Sequence, residues 1–458
     1  MKSMKILVAL FLLVTTISSN AQKPPYFKDG QTVCFVGNSI TQDGRYHMLL
    51  QSYYATRFPG NKVRFISCGI GGDNASHMIG RFEKDVLIHQ PDYAFLMTGM
   101  NDMWSHLFAP GIKIDSTLEL KRDEALETYI KQTNKLADMI VSNGIKPIFM
   151  TPTIYDQTAK INQANQFGKN DALVKCAAHI RGLAQKHNAP VVDFTPFMLA
   201  INKREQAKDS AFTIVGADRV HPQETGHYAM AYKIISTLYQ ANEIYEVSIN
   251  VKKKSVLKAT QCKVSFSNND ENIQFKIKAN ALPFVVNQDY KEGKLMVPLD
   301  KEYNQELLRI KGIKKGGYTL QIDDQVVDTL SSKTLKKGIN LALISETPQN
   351  IQALNIFDLC LQYHDIQAKL RAIANVDHKK LKEYKGADNM VDKKIYLDAL
   401  VEKSKGKPWY QSGVNVCNTY YEFKPQEKEL WSDLEDLRTK IYSENIPIQH
   451  TYQLNRVN

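Results

Sequence analysis

Three short polar strings in the first half of the chain combine residue types that could do chemistry together. They are residues 37–41 (Gly-Asn-Ser-Ile-Thr), residues 99–102 (Gly-Met-Asn-Asp) and residues 218–222 (Asp-Arg-Val-His-Pro). They contain a serine hydroxyl, a side-chain amide, and a histidine close to a carboxylate. Nucleophilic acyl transfer requires this combination of nucleophile, base, orienting carboxylate and amide donor. The three strings therefore predict one site for attack on an ester carbonyl.

Ser39 is the candidate nucleophile, with His221 as its base and Asp218 as the orienting carboxylate. Ser39 follows an apolar run and a glycine and precedes a helical pattern, so its hydroxyl should be exposed at a tight turn. The close spacing of Asp218 and His221 lets the carboxylate reach Nδ1, which leaves Nε2 to take the serine proton. Taken singly, each pattern also fits a capping serine, or a capping aspartate beside a surface histidine.

The same strings supply candidates for an oxyanion hole formed by Ser39, Gly72 and Asn101. Asn101 follows an apolar run, and its side-chain amide can donate to a developing oxyanion. The backbone N–H groups of Gly72 and Ser39 could supply two further donors. A flexible loop or a phosphate cradle is the alternative for the glycine-rich residues 69–72. Their spacing is not Gly-x-Gly-x-x-Gly and the P-loop lysine is missing, so nucleotide binding is disfavoured.

The elements that must position these residues follow from hydrophobic periodicity between residues 31 and 245. Apolar runs predict strands at residues 32–36, 63–68, 93–97, 147–150 and 191–194. Amphipathic stretches predict helices at residues 44–58, 77–89, 118–142, 171–187 and 224–242. Such alternation is typical of a parallel sheet covered by helices on both faces, with its chemistry beyond the carboxyl ends of the strands.

The second half of the chain has a different pattern of apolar and polar residues. Residues 247–345 alternate as antiparallel strands do and predict a small β-sandwich. Its clearest predicted hairpin joins residues 308–313 to 318–322. From residue 346 the pattern is helical, with helices at residues 348–375, 393–404 and 427–442. The predicted organisation is a signal peptide at 1–21, an α/β domain at 22–246, a β-sandwich-like module at 247–345 and a helical C-terminal region at 346–458.

The N-terminus has the features of an export signal. Lys2 and Lys5 precede an apolar run over residues 6–17, and a small-x-small site (Ser-Asn-Ala) follows at 19–21. The run is shorter than the roughly 20 residues that a membrane span needs. We therefore expect a cleaved signal peptide, a periplasmic or extracellular protein, and no stable membrane anchor. A retained anchor is the alternative.

Composition limits the partners. The formal net charge is +11, but the lysine pairs are scattered and no nucleic-acid-binding motif accompanies them, so no nucleic-acid partner is expected. The charge fits a solvated surface or attraction to an acidic polysaccharide. The six cysteines are widely spaced and form no zinc-binding motif, which predicts no metal site. Disulfides and buried free thiols both remain compatible with that spacing.

The motifs around Ser39, Gly72, Asn101 and His221 resemble the four blocks of the SGNH (GDSL-type) hydrolases, which carry Ser, Gly, Asn and His in this order. The resemblance covers about residues 31–245. It implies a flavodoxin-like three-layer α/β/α fold with a five-stranded parallel sheet. It also implies that Ser39, Asp218 and His221 form the catalytic triad, with Gly72 and Asn101 as oxyanion donors. One departure is Asn38, which stands where the family usually has an acid, so a changed local hydrogen bond is expected there.

The function expected from these residues is that of a serine esterase with no metal or organic cofactor. An exported enzyme with an appended β-module suggests a glycan substrate, most simply an O-acetyl ester on a carbohydrate. Trp104 and His106 follow the Asn101 string and are candidate substrate-binding residues, although Trp104 could equally belong to the core. The alternatives are a glycan methyl ester, a lysophospholipid or a thioester, or a non-catalytic glycan-binding protein on a hydrolase scaffold.

Overall fold

The computed structural model describes residues 25–266, 273–407 and 409–457. The predicted signal peptide, residues 1–21, lies outside the described residues. Within the described ranges, no helix combines the length and the apolar character needed to cross a membrane.

The first half of the chain forms the predicted five-stranded parallel sheet. Its strands are β1 (Thr32–Gly37), β2 (Arg64–Gly69), β3 (Tyr93–Met97), β4 (Lys146–Met150) and β5 (Val191–Val192). Their order in the sheet is β2-β1-β3-β4-β5. Every residue of β1, an interior strand between β2 and β3, is buried, as expected for a strand covered on both faces. The predicted α/β fold is therefore confirmed.

Helices connect these strands and cover both faces of the sheet. They are α1 (Ser39–Asp43), α2 (Arg45–Arg57), α3 (Ala75–Asp85), α4 (Ser116–Ser142), α5 (Lys169–Lys186), α6 (Phe194–Gln206) and α7 (Glu224–Leu238). Helix α1 begins two residues after the end of β1, so the carboxyl end of this interior strand leads into the N-terminus of a helix. Helix α6 was not predicted from the sequence, because residues 194–206 adjoin the short strand β5 and show no distinct start signal.

Two further sheets form a β-sandwich. Its strands are β6 (Tyr245–Asn250), β7 (Ser255–Thr260), β8 (Cys262–Phe266), β9 (Ile273–Ala279), β10 (Glu306–Lys311), β11 (Gly317–Ile322), β12 (Gln325–Ser331), β13 (Ile339–Asn340) and β14 (Gln449–Val457). One sheet has the order β13-β10-β6-β7 and the other β12-β11-β14-β9-β8. Short helices α8 (Lys291–Met296), α9 (Leu299–Glu302) and α10 (Ser332–Lys337) lie between strands. Val247, Leu308, Phe275 and Leu320, from both sheets, share one hydrophobic core.

The hairpin predicted between residues 308–313 and 318–322 is wrong. Strand β10 pairs in parallel with β6, whereas β11 pairs with β12 and β14 in the other sheet. The segment between β10 and β11 therefore crosses from one sheet to the other, with Gly312 and Gly316 at φ values of +78° and +156°. Alternation identifies the buried face of a strand, but it does not identify the neighbouring strand.

The helical C-terminal region also differs from its predicted extent. It contains α11 (Pro348–Asn375), a π-helical turn at Val376–Lys380, α12 (Met390–Glu402), α13 (Tyr410–Phe423) and α14 (Glu427–Glu444). Helix α13 was not predicted from the sequence pattern. The final segment is not helical, because β14 pairs with β11 and β9 inside the second sheet of the sandwich. The chain thus returns to the sandwich after its helices.

Helix α11 packs along β2, which is the edge strand of the parallel sheet. Tyr363 Oη donates to the Phe65 carbonyl at 3.0 Å, and Gln367 accepts from Ser67 N at 2.5 Å. Arg371 Nε donates to the Gly69 carbonyl at 3.0 Å. Four residues of an α-helix rise about 6 Å, and two residues of a strand rise about 6.6 Å. Side chains four residues apart on α11 can therefore reach backbone groups two residues apart on the free edge of β2. The helix thereby satisfies the open edge of the sheet as far as its catalytic end.

All six cysteines are buried free thiols, so the structure holds no disulfide between them. Their spacing was compatible with disulfides and with buried free thiols, and the structure has buried free thiols. Burial raises the pKa of Cys360 and Cys34 above the usual range of a thiol, which keeps these groups neutral.

Glu306 on β10 gives the sandwich a predicted pH dependence. The side chain is fully buried, and burial raises its pKa to about 8 although Gln349 Nε2 donates to Oε2 at 3.1 Å. A raised pKa means that the fold favours the protonated acid. The associated stability is complete below the unfolded pKa of about 4.5 and is lost as the pH rises toward 8. We expect Glu306→Gln, which mimics the neutral acid, to raise the melting temperature by a few degrees at pH 8 and little at pH 5.

Differential scanning calorimetry at the two pH values would measure this difference. The exposed Glu346 supplies the matched control, since Glu346→Gln should leave the melting temperature unchanged at both. If the difference in melting temperature between Glu306→Gln and the wild type were the same at pH 5 and pH 8, the prediction would be contradicted.

Candidate active site

Ser39 lies just beyond the carboxyl end of β1 and is the first residue of α1. Asn38 caps this helix by accepting from Ile40 N at 3.1 Å, and it is buried. The residue that departs from the family pattern therefore makes a local hydrogen bond that any Asx side chain could make. A Cβ atom on Gly37 would lie 2.1 Å from Thr41 Oγ1, so this turn requires glycine. The Ser39 side chain is left partly exposed.

The structure brings Ser39, His221 and Asp218 into one hydrogen-bonded chain. Ser39 Oγ lies 2.7 Å from His221 Nε2, and His221 Nδ1 lies 2.6 Å from Asp218 Oδ2. The other carboxylate oxygen of Asp218 accepts from the backbone N–H groups of Val220 and His221, each at 2.9 Å. An ionised carboxylate only accepts hydrogen bonds, so Nδ1 carries the imidazole proton and Nε2 faces the serine as an acceptor.

Hydrogen bonding keeps Asp218 ionised. Burial alone would raise the pKa of this carboxyl group. The hydrogen bonds from the His221 ring and from the two backbone N–H groups outweigh that effect and lower the pKa of Asp218 to about 2. The carboxylate is therefore negative at neutral pH and can stabilise a positive charge on His221.

Arg219, between the two residues of this pair, anchors their loop and was missed in the sequence analysis. It is buried and has a φ of +69°, which is unusual for a residue other than glycine. Its guanidinium donates to four backbone carbonyls of a neighbouring loop, those of Asp156, Ala159, Ile161 and Gln163. No sequence pattern distinguishes this arginine from a surface cation, since its partners are backbone groups.

The candidate oxyanion donors meet on a glycine-rich loop after β2. Gly72 is exposed and has a φ of +74°, a conformation that favours glycine. Gly71 packs beside the nucleophile, because a Cβ on Gly71 would lie 3.9 Å from that of Ser39. Asn101 Nδ2 donates to the Asp73 carbonyl at 2.9 Å. This bond uses one of the two amide hydrogens and fixes the orientation of the other.

Asp102 holds the turn that carries Asn101. Its carboxylate accepts from Gly99 N at 2.8 Å and from Ala75 N at 2.9 Å. It thereby links the loop after β3 to the start of α3. Burial raises the pKa of Asp102 although both backbone bonds favour the ionised form.

Trp104 and His106 lie on the surface close to Asn101 in sequence. Their rings stack with centroids 5.7 Å apart and an interplanar angle of 18°. The Trp104 side chain is 43% exposed, so the alternative of a core residue is wrong. Between them, Ser105 Oγ accepts from the buried Lys169 Nζ at 2.7 Å, and burial lowers the pKa of Lys169 to about 8. The rings of Trp104 and His106 thus form a flat aromatic surface, and the hydrogen bond from Lys169 to Ser105 holds the turn that carries them.

Within residues 25–266, 273–407 and 409–457, no group of three or more His, Cys, Asp or Glu side chains could hold a metal ion.

Comparison with known proteins assigns the class. Residues 35–229 match the sequence model of the GDSL-like lipase/acylhydrolase family. That segment spans β1 to α7 and contains every residue of the hydrogen-bonded chain. This α/β domain belongs to the SGNH (GDSL-type) hydrolases, and the protein is a carboxylic ester hydrolase.

Two relatives extend the comparison. The chain is 26% identical over 220 residues to an acetylxylan esterase of Geobacillus stearothermophilus, a match that covers 44% of this chain and 91% of the relative. A solved structure of a gut microbial diltiazem-metabolizing enzyme is 29% identical and superimposes with a TM-score of 0.84. That match covers 95% of this chain and 100% of the other, so the two share the sandwich and the C-terminal helices as well as the α/β domain.

Proposed function

We propose that the protein is a serine esterase that removes O-acetyl groups from carbohydrates by a Ser39-His221-Asp218 mechanism. The observation that carries the proposal is the 2.7 Å contact between Ser39 Oγ and His221 Nε2, with Asp218 on the far side of the ring. A serine is a weak nucleophile until a base removes its proton, and this contact places the base in reach.

The proposed reaction has two halves. His221 Nε2 takes the Ser39 proton as Oγ attacks the ester carbonyl, and the resulting imidazolium is stabilised by Asp218. His221 then gives its proton to the leaving alcohol, which leaves an acyl group on Ser39. A water molecule, deprotonated by His221, attacks this acyl-enzyme and releases the acid.

We propose that the tetrahedral oxyanion binds to three donors: the backbone N–H groups of Ser39 and Gly72, and the second amide hydrogen of Asn101. These donors are fixed before substrate arrives, because Asn101 is tied to Asp73 and Ser39 begins a capped helix. Preorganised donors stabilise the charge that develops in the transition state, and each is typically worth 10²–10³ in rate.

Two observations support a carbohydrate acetyl ester as substrate. The curated relative with 26% identity is an acetylxylan esterase. The stacked and exposed rings of Trp104 and His106 offer an aromatic face of the kind on which a sugar ring packs. We also propose that the protein acts outside the cytoplasm, since its sequence begins with the features of an export signal.

Covalent labelling and product analysis test the proposal together. A fluorophosphonate probe followed by peptide mass spectrometry should modify Ser39 and no other serine. Acetate release from acetylated xylo-oligosaccharides should exceed methanol release from methyl-esterified pectin and fatty-acid release from lysophospholipids. Diltiazem is a further substrate to include. Labelling at another residue would contradict the nucleophile assignment, and preferred release of methanol or fatty acid would contradict the substrate class.

A further inference from the structure

Lys379 connects the C-terminal helical region to the glycine-rich loop of the active site. It lies in the π-helical turn that follows α11, 308 residues away from Gly71 in sequence. Its Nζ donates to the Gly71 carbonyl at 2.7 Å and lies 3.3 Å from Asp73 Oδ1. The side chain is 33% exposed, so most of it is enclosed against the loop.

The hydrogen bond to Gly71 acts directly on the oxyanion donor. The Gly71 carbonyl and the Gly72 N–H belong to the same peptide group, which is planar and trans, so the two point in opposite directions. An ammonium group that fixes the carbonyl therefore aims the N–H away from itself. It also polarises the peptide, which strengthens the N–H as a donor. A Cβ on Gly72 would lie 2.9 Å from Lys379 Nζ, so any other residue at this position would displace the ammonium group from its present place.

We propose that Lys379 is a positioning residue for the Gly72 oxyanion donor, so that the C-terminal helical region completes the active site. This inference rests on the proposed esterase mechanism. It also gives the helical region a role in the reaction, where the family match itself covers only residues 35–229.

The other side of the same loop is held by α1, with a supporting contact from α11. Gln42 Oε1 accepts from Gly71 N at 2.6 Å, and Asn375 Nδ2 lies 3.4 Å from that oxygen. The peptides before and after Gly71 are thus both fixed, one through Gln42 on α1 and one through Lys379. Since Gln42 lies on the helix that starts with Ser39, nucleophile and donor are fixed relative to each other.

The charge of Lys379 is not needed to neutralise Asp73. The Asp73 carboxylate is already bound by Arg81 Nε at 2.7 Å, in a fully buried contact. Removal of the Lys379 ammonium therefore leaves no buried carboxylate without a cation, and a variant should fold. What such a variant loses is the charged donor to the Gly71 carbonyl.

The test compares kinetics of Lys379→Met, Lys379→Arg and Lys380→Met on p-nitrophenyl acetate. We expect Lys379→Met to lower kcat by about 10–100-fold with KM nearly unchanged, because the donor binds the transition state more strongly than the ground state. Lys379→Arg keeps a cationic donor and should recover most of that loss. Lys380→Met is the matched control. Lys380 Nζ lies near Gly413 on α13, so this variant should behave as the wild type.

Each outcome has a defined meaning. Unchanged kcat in Lys379→Met, or a rise in KM alone, would overturn the positioning role. A loss that Lys379→Arg does not restore, accompanied by a lower melting temperature, would also overturn it, because the role would then be structural. If Ser39→Ala is inactive while Lys379→Met matches the wild type, only this inference fails. Activity retained in Ser39→Ala would instead remove the proposed function.

Discussion

Replacing Ser39 or His221 by alanine should lower kcat for ester hydrolysis by about 10⁴–10⁶-fold. In the proposed mechanism both residues act on the same proton transfer, so the loss of either leaves an unactivated or absent nucleophile. For the same reason, the double variant should be hardly worse than either single variant. Turnover of p-nitrophenyl acetate by the three variants measures this directly. KM should change little, because the acetate group is held chiefly by other parts of the site.

Controls for this prediction must separate chemistry from folding. Ser76→Ala removes an exposed hydroxyl on the first turn of α3 and should retain full activity. Melting temperatures of Ser39→Ala and His221→Ala should stay within a few degrees of the wild type, since both side chains are partly exposed. Retention of more than about a tenth of the activity in Ser39→Ala, or losses that multiply in the double variant, would be incompatible with one shared step.

The parallel sheet and its catalytic edge could be predicted from sequence because their signals are local. Each strand is a short apolar run, and each of the glycines at 37, 69 and 99 lies at or just after the end of a strand. Parallel strands bring their carboxyl ends to one edge, so residues that follow them must be neighbours. His221 lies in the loop before α7 and does not follow a strand, so its contact with Ser39, 182 residues away, was predicted from its carboxylate partner and from the order of the family motifs; this contact is present.

The strand pairings that were not predicted correctly depend mainly on contacts between segments that are distant in sequence. The alternation of residues 306–322 is real, but β10 pairs with the distant strands β6 and β13, and β11 pairs with the strand that follows it, β12, and with the distant β14. Strand β14 completes a sheet whose first strand in the chain, β8, begins almost 190 residues earlier. Nothing in the sequence of β14 indicates which strands it pairs with. The hairpin between β10 and β11 was therefore inferred from proximity in the chain and was wrong.

The residues that support the active site were hidden for the same reason. Lys379, Gln42 and Arg219 bind backbone carbonyl and amide groups, which any residue can provide, so no paired motif marks them in the sequence. The spacing of Tyr363, Gln367 and Arg371 is a regular i, i+4, i+8 series. It would have been readable as one polar face of a helix, although only the structure identifies the strand edge that this face covers.

Replacing Arg371 by methionine should destabilise the protein by about 3–5 kcal/mol at neutral pH. Arg371 makes a bidentate pair with Asp85, at 2.7 and 2.8 Å, and both side chains are about 95% buried. Methionine fills a similar volume but leaves Asp85 with Arg81 as its remaining strong partner. It also leaves the Gly69 carbonyl at the end of β2 without the donor that Arg371 provides. Urea unfolding followed by circular dichroism would give the difference in free energy.

The pH dependence of that difference identifies its electrostatic origin. Burial alone would raise the pKa of Asp85, but Arg371 and Arg81 outweigh it and lower the pKa to about 2. A lowered pKa contributes stability that is complete above the unfolded value of about 3.8 and is lost as the pH falls toward 2. The gap between wild type and Arg371→Met should therefore be full at pH 7 and shrink below about pH 4.

Two further variants serve as controls for this result. Gln362→Met changes an exposed position on the same helix and should shift the free energy of unfolding by less than about 0.5 kcal/mol. Arg371→Lys keeps the charge but loses the bidentate geometry and the contact to Gly69, so it should fall between wild type and Arg371→Met. Destabilisation by Arg371→Met that was equal at pH 7 and pH 3.5 would mean that lost packing, rather than the loss of one of the two arginines that pair with Asp85, is responsible. The joint between α11 and the catalytic sheet would then be held by its apolar contacts, and the buried charges would serve only to orient the loop that starts at Gly69.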